Sequence, residues 1–225
     1  MKSQPAPRGG QAIIAVSHKF KLIHVHIPKT GGSSINAWLE ALDPEIESLC
    51  PRPHEPVSNL VRYSPAEMLT YHVFCVVRNP WARAVSLYHY RKKTTNIQPP
   101  HWPSRSDINT LSFRNTVLKS ESQSPELAEK CPPSEVPEIA WLEPSCSAWV
   151  NIDGKLAVNQ VCRLESIHKD IGLIGEKIGC DVPAFPHKNS SQHTHYSEYY
   201  DEETRAIIAK KCKEDIDCFG YAFGD

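Results

Sequence analysis

No stretch of this sequence is apolar for long enough to cross a bilayer. The longest runs, Gln11 to Val16 and Val73 to Val77, are strand-sized, against the ~20 residues a membrane span needs. Met1 to Gly10 is polar, with two prolines and two glycines, and lacks the apolar stretch of a secretory leader. The expectation is a cytoplasmic protein. Net charge is almost absent as well: 25 Lys and Arg against 26 Asp and Glu leave −1. No global basic field exists to hold nucleic acid or an anionic membrane, so any anionic ligand must be held by a local cluster. None of the eight cysteines forms a C-x-x-C pair, which argues against zinc-ribbon and thioredoxin-type chemistry. Mostly reduced thiols are expected, with Cys131–Cys146 and Cys212–Cys218 the candidate pairs should a disulfide form. His24, His26, His193 and His195 invite a metal reading, but no cysteine or carboxylate cluster with structural zinc spacing accompanies them, and no metal is expected.

What is present is a set of strand–turn–helix units. Residues 1–18 read as a flexible leader, and 19–225 as one domain. Lys21 to Ile27 alternates Leu22, Ile23, Val25 and Ile27 and predicts a buried strand. Lys29-Thr30-Gly31-Gly32 is a tight turn, after which Ser33 or Ser34 can cap a helix through Ile35, Trp38, Leu39 and Leu42, stopped at Asp43-Pro44. Residues 50–66 are proline-rich and read as irregular. Tyr71 to Val77 is a second buried strand, and Pro80 suits the first turn of a helix reaching about Arg91. Residues 93–135, rich in Ser, Pro, Thr and Asn, read as an excursion with one short helix near Asn109 to Lys119. Lys155 to Cys162 is strand-like. Glu165 to Ile178 carries Ile167, Ile171, Ile174 and Ile178 on one helical stripe, and Asp201 caps a last helix running as far as Cys212. The fold class is α/β, a P-loop-like three-layer fold with a mainly parallel central sheet flanked by helices.

Two motifs carry chemistry. Pro28 to Ser34 lies between a strand and a helix. Gly31 and Gly32 let the backbone approach a ligand, and the helix start offers unpaired N–H groups and a positive dipole end suited to phosphate-like anions. Lys29, Thr30, Ser33 and Ser34 add donors. Lys29 precedes the glycines, whereas the nucleoside-triphosphatase loop places its lysine after the last glycine. The second motif is Val77-Arg78-Asn79-Pro80-Trp81 through Arg83, Ser86 and Tyr88. Arg78 stands at the carboxyl end of a strand, where α/β sheets put their ligands. Its forked guanidinium and the Ser86 hydroxyl suit a phosphate. Arg83, Ser86 and Tyr90 fall on one helix face, while Trp81, Val85 and Tyr88 form a core stripe.

Together these motifs resemble the sulfotransferases that use 3′-phosphoadenosine-5′-phosphosulfate (PAPS), and within them the carbohydrate O-sulfotransferase branch of Golgi type and its bacterial relatives. The resemblance continues through Asp153-Gly154-Lys155, Arg163-Leu164-Glu165, Tyr200-Asp201-Glu202-Glu203-Thr204 and Phe219-Gly220-Tyr221. Val158 to Cys162 departs from the family's usual sequence before the arginine. The resemblance implies a PAPS site with Lys29, Thr30, Gly31, Gly32, Ser33 and Ser34 at the 5′-phosphosulfate and Arg78 and Ser86 at the 3′-phosphate. Lys188 and Asn189 would close a late loop over the nucleotide. The product would be adenosine 3′,5′-bisphosphate and the partner a hydroxyl acceptor, a glycan above all. Lys29 would act in catalysis beside a general base, for which His54 is the candidate, ahead of His72 and Glu55. The excursion would be an acceptor lid, with Trp102 available to stack on a sugar. Were an N-terminal anchor removed, the compartment would be the Golgi lumen.

Two other readings remain open at this level. One is a small-molecule kinase using ATP, disfavoured by the position of Lys29 and by the lack of a clear Mg²⁺-binding aspartate after a strand. The other is a catalytically silent module that binds nucleotide or glycan.

Overall fold

In a computed structural model of the chain, the structure describes residues 14–49, 56–63, 66–94, 111–121, 145–186 and 194–225. They divide between two compact units, one from residues 1–78 and 146–190 and the other from residues 79–145 and 191–225.

The first unit is built on a five-stranded sheet. In chain order it contains β1 (Ile14–Ser17), β2 (Leu22–Val25), α1 (Gly32–Leu42), β3 (Glu47–Ser48), α2 (Val57–Tyr63) and β4 (His72–Val77). The second unit holds α3 (Pro80–Thr94) and α4 (Phe113–Glu121). The chain then returns to the first unit with α5 (Cys146–Val150), β5 (Asn151–Ile152), β6 (Lys155–Leu156), β7 (Gln160–Arg163) and α6 (Ile167–Ile178). It ends in the second with α7 (Glu202–Lys211) and α8 (Lys213–Phe219).

The sheet order is β3-β1-β2-β4-β7. β2, β4 and β7 pair in parallel, β1 runs against both its neighbours, and four of the five strands therefore point one way. Val, Ile and Phe fill β2 and β4 because parallel strands leave little solvent-facing surface. α1 and α6 pack on one face. Ile35, Trp38, Leu39 and Leu42 from α1 meet Phe74, Val76, Leu22 and Ala15 from the sheet and the Ile167–Ile171–Ile174 stripe of α6. Each such side chain withdrawn from water contributes about 1.5–3 kcal/mol. Polar ties then fix the ends of α1. The Trp38 indole donates to Pro183 O at 3.0 Å, and Ser17 Oγ donates to the Asp43 carboxylate at 2.5 Å.

The second unit has its own core, in which Trp81, Ala84, Val85 and Tyr88 of α3 pack with Phe113 and Val117 of α4 and Ile208 of α7. Asp201 caps α7 in a two-way capping box with Thr204. The same carboxylate receives Arg114 from α4 at 2.7 Å.

Several expectations need correction. Ile14 to Ser17, read as leader, forms an almost wholly buried strand. Within 50–66, Val57–Tyr63 is a helix. Lys155 to Cys162 is not one strand: β6 (Lys155–Leu156) pairs back on β5 across the Asp153-Gly154 turn (φ 50° and 73°), and β7 begins only at Gln160. The excursion 93–135 is not wholly outside a core, since Phe113 and Val117 of α4 are buried in the second unit. Arg83 is buried (4% exposed) while Tyr90 is exposed, so the two do not share a solvent face. α8 was not read from the sequence at all. Cys75, Cys146, Cys162, Cys180, Cys212 and Cys218 are free thiols, so neither candidate disulfide pair is formed. Among the described residues no helix is long and apolar enough to cross a membrane.

Two outcomes follow from this packing. Ile174→Ala removes a fully buried side chain from the α6 stripe and should destabilise the protein by about 2–5 kcal/mol in a denaturant titration. Asp201 is held down to about 2 from an ordinary 3.8 by its bonds with Thr204 and then Arg114. A lowered carboxylate stabilises the fold above its ordinary value and loses that contribution as pH falls through the folded one. Asp201→Asn, which still caps a helix, should flatten the fall in thermal midpoint between about pH 4 and pH 2. An unchanged slope in that window would show that other groups drive the acid transition.

Candidate functional site

The carboxyl ends of β2, β4 and β7 stand side by side in the first unit, and a motif leaves each of them. After β2 the chain passes through Pro28, Lys29 and Thr30 to the start of α1. Gly31 occupies the N-cap position at φ 90°, a left-handed conformation that glycine adopts without a steric penalty. No side chain caps this helix. Ser33 and Ser34 therefore lie within its first turn rather than ahead of it, Ser33 exposed and Ser34 buried. Helical geometry leaves the amides of Gly32 and Ser33 without intrahelical acceptors, and they mark the positive end of the helix dipole.

Both glycines are also required by close packing. A methyl group on Gly32 would lie 2.1 Å from His26 Nε2, and one on Gly31 would lie 2.7 Å from a methyl carbon of Leu164. The space on the Cβ side of each glycine is already filled: His26, buried just after β2, packs against Gly32, and Leu164, immediately after β7, packs against Gly31. Thr30 is buried, and its hydroxyl donates to Ile27 O at 2.8 Å within the loop.

Lys29 adopts φ 68°, unusual for a residue bearing a side chain. Its ammonium is half-buried and stands near Arg78, whose Nη1 reaches Lys29 O at 3.5 Å. Burial, and then the Arg78 charge, lower the Lys29 amine to about 8. Two cations beside a helix N-terminus form the local positive cluster that a nearly neutral chain needs to bind an anion.

Ser86 lies half-buried on α3 in the second unit. His54, Glu55, Trp102, Lys188 and Asn189 lie outside the described residues. His72 is excluded as the base, because it opens β4 at the end opposite Arg78, about 20 Å along the strand. There its ring nitrogen meets Gln160 Oε1 at 3.0 Å. The divergent segment Val158 to Cys162 serves this same far end, where Asn159 exchanges bonds of 2.8 Å with Val73 through its side chain and its backbone N–H. His24 and His26 do share a face, with ring centroids 5.9 Å apart. His24 is 1% exposed with neither ring nitrogen hydrogen-bonded, and burial followed by the His26 charge pushes it well below its ordinary value. Among the described residues no group of three or more His, Cys, Asp or Glu side chains could hold a metal ion.

The lowered Lys29 amine predicts a pH dependence. An anion binds the ammonium form, so its affinity should be constant below about pH 8 and weaken above it. Binding between about pH 8 and 10 should take up protons, detectable as calorimetric enthalpies that differ between buffers of different ionisation heat. Lys29→Arg, which stays charged, should remove that dependence. Affinity for adenosine 3′,5′-bisphosphate that stays flat to pH 10 in the unmodified protein would rule Lys29 out as the anion's partner.

A family model described as the sulfotransferase family matches residues 13–136, a span that includes both the Pro28–Ser34 loop and the Arg78 motif. No curated protein matches the sequence. Among solved structures, a sulfotransferase from Alicyclobacillus acidocaldarius is 15% identical at a TM-score of 0.41, over 90% of this chain and 94% of that one. Mouse sulfotransferase SULT7A1, solved in complex with PAP, is 15% identical at a TM-score of 0.45, over 92% and 95%. With the model spanning more than half of its length and both anion-facing motifs, the chain belongs to the sulfotransferase family.

Proposed function

We propose that the protein transfers a sulfuryl group from PAPS to a hydroxyl, that of a carbohydrate, by in-line displacement with a general base and without a metal. The observation that carries this reading is the meeting of Lys29 and Arg78 beside the bare Gly31-Gly32 start of α1. Two cations beside the first amides of a helix suit a phosphosulfate-bearing ligand. In the reaction the acceptor oxygen bonds to sulfur, and the bond from sulfur to the phosphate oxygen breaks with its electron pair left on that oxygen. Lys29 and the Gly32 and Ser33 amides stabilise the charge that develops there. His54 takes the acceptor's proton, a role assigned by resemblance, as are Ser86 at the 3′-phosphate, Lys188 and Asn189 over the nucleotide, and the glycan as acceptor.

Calorimetric titration with adenosine 3′,5′-bisphosphate, ATP and AMP tests the donor assignment. The bisphosphate should bind best, and Arg78→Ala should weaken it by about tenfold or more, roughly 1.4 kcal/mol. A preference for ATP, or equal binding of bisphosphate and AMP, would overturn it in favour of a kinase or a silent binding module.

A further inference from the structure

Beyond α8, Gly220 at φ 65° turns the chain, and Tyr221 is buried. Residues 222–225 then lie against the start of α3. Asn79, itself wholly buried, is the centre of the contact. Its Oδ1 accepts from the amides of Trp81 at 3.1 Å and Ala82 at 3.3 Å, which makes it the cap of α3. Its Nδ2 donates to Ala222 O at 2.9 Å. One amide side chain thus joins the first turn of α3 to a segment about 140 positions away in sequence.

The segment is held on its other sides too. Phe223 inserts edge-on among Trp81, Tyr196 and Tyr200, with ring centroids 5.5, 5.7 and 5.6 Å away, and the Arg205 guanidinium lies 5.4 Å over its ring. Tyr196 Oη accepts from Gly224 N at 2.8 Å and donates to Asp225 O at 3.2 Å, while Asp225 Oδ2 receives Ala222 N at 2.6 Å. Trp81 is fixed from both ends: its indole donates to Arg205 O at 3.1 Å, and its carbonyl accepts from Tyr200 Oη at 2.9 Å. Burial pushes the Tyr200 phenol well above its ordinary range, so it remains a donor. Such convergence of bonds and aromatic edges on one helical turn exceeds what a helix start requires, since a single cap normally suffices.

We infer that residues 221–225 are a positioning latch: by holding Asn79 and Trp81 they set the first turn of α3 and, through it, the place of Ser86. The inference rests on the reading of Ser86 as a 3′-phosphate contact for its consequence in binding, but not for the latch itself. The family match ends at residue 136 and assigns nothing to this segment.

Two measurements on the full chain test it. Phe223→Leu keeps apolar volume while losing the aromatic edges, and Phe223→Ala removes both. In hydrogen exchange, the Trp81 and Ala82 amides should exchange at least tenfold faster in these variants, while the amides of α6 keep their protection. In calorimetry, Phe223→Leu should weaken adenosine 3′,5′-bisphosphate about tenfold and leave adenosine 5′-phosphosulfate, which lacks the 3′-phosphate, within twofold. Adding Ser86→Ala to Phe223→Leu should then cost little more, because both changes remove one contact. Unchanged exchange at Trp81 and Ala82 overturns the latch. Equal weakening of both ligands, or additive losses, overturns its action through Ser86 and leaves general destabilisation. Faster exchange at Trp81 and Ala82 in a protein whose unmodified form shows no preference for the 3′-phosphate supports the latch and refutes the donor reading instead.

Discussion

The parallel pairing of β2 with β4 is the constraint from which the anion site follows. Paired residues differ by 50 positions, Leu22 with His72 and Val25 with Cys75. The same offset sets Arg78 level with Pro28, so the loop after one strand and the arginine after the other arrive at the same edge of the sheet. A slip of one residue would exchange the two faces of β2, moving Leu22 and His24 away from α1 and Ile23 and Val25 toward it. The apolar face packed under α1 and α6 therefore holds the register, and the register brings Lys29 to Arg78. Core packing and ligand chemistry are coupled through one pair of strands.

The cluster produced in this way is costly when considered as part of a fold. Lys29 has positive φ, its amine is partly withdrawn from water, and the Arg78 charge acts against its own. Each feature opposes folding: backbone strain of this kind costs on the order of 1 kcal/mol or more, and burial and like charge both disfavour the ammonium. Under the proposed function all three would turn favourable once an anion lay against the first amides of α1, because the groups are already in place and need no reorganisation. His26 and Leu164 fill the space beside the two glycines.

The second unit treats its own helix start with comparable care. α1 begins at a glycine without a side-chain cap. α3 begins at Asn79, whose carboxamide takes up the first amides of the helix and ties them to residue 222. One helix start has no side-chain cap and the other has one, a difference set by a glycine at the N-cap of α1 and an asparagine at that of α3.

Local sequence decided much of this. The β-branched runs of β2 and β4, the isoleucine stripe of α6, the proline that opens α3 and the aspartate that caps α7 were all legible, because each depends on neighbours a few residues away. The loop and the arginine were legible as motifs for the same reason. Other features needed the folded chain. His26 beneath Gly32 and Leu164 over Gly31 are contacts between elements, and no spacing announces them. His72 read as a base until its strand placed it at the wrong end of the sheet. β1 passed for leader because a four-residue strand draws its stability from partners on both sides rather than from its own composition. Sequence alone determined which residue types can bind an anion here. Tertiary structure decided which of them face one another, because only strand register and packing set distances between residues far apart in the chain.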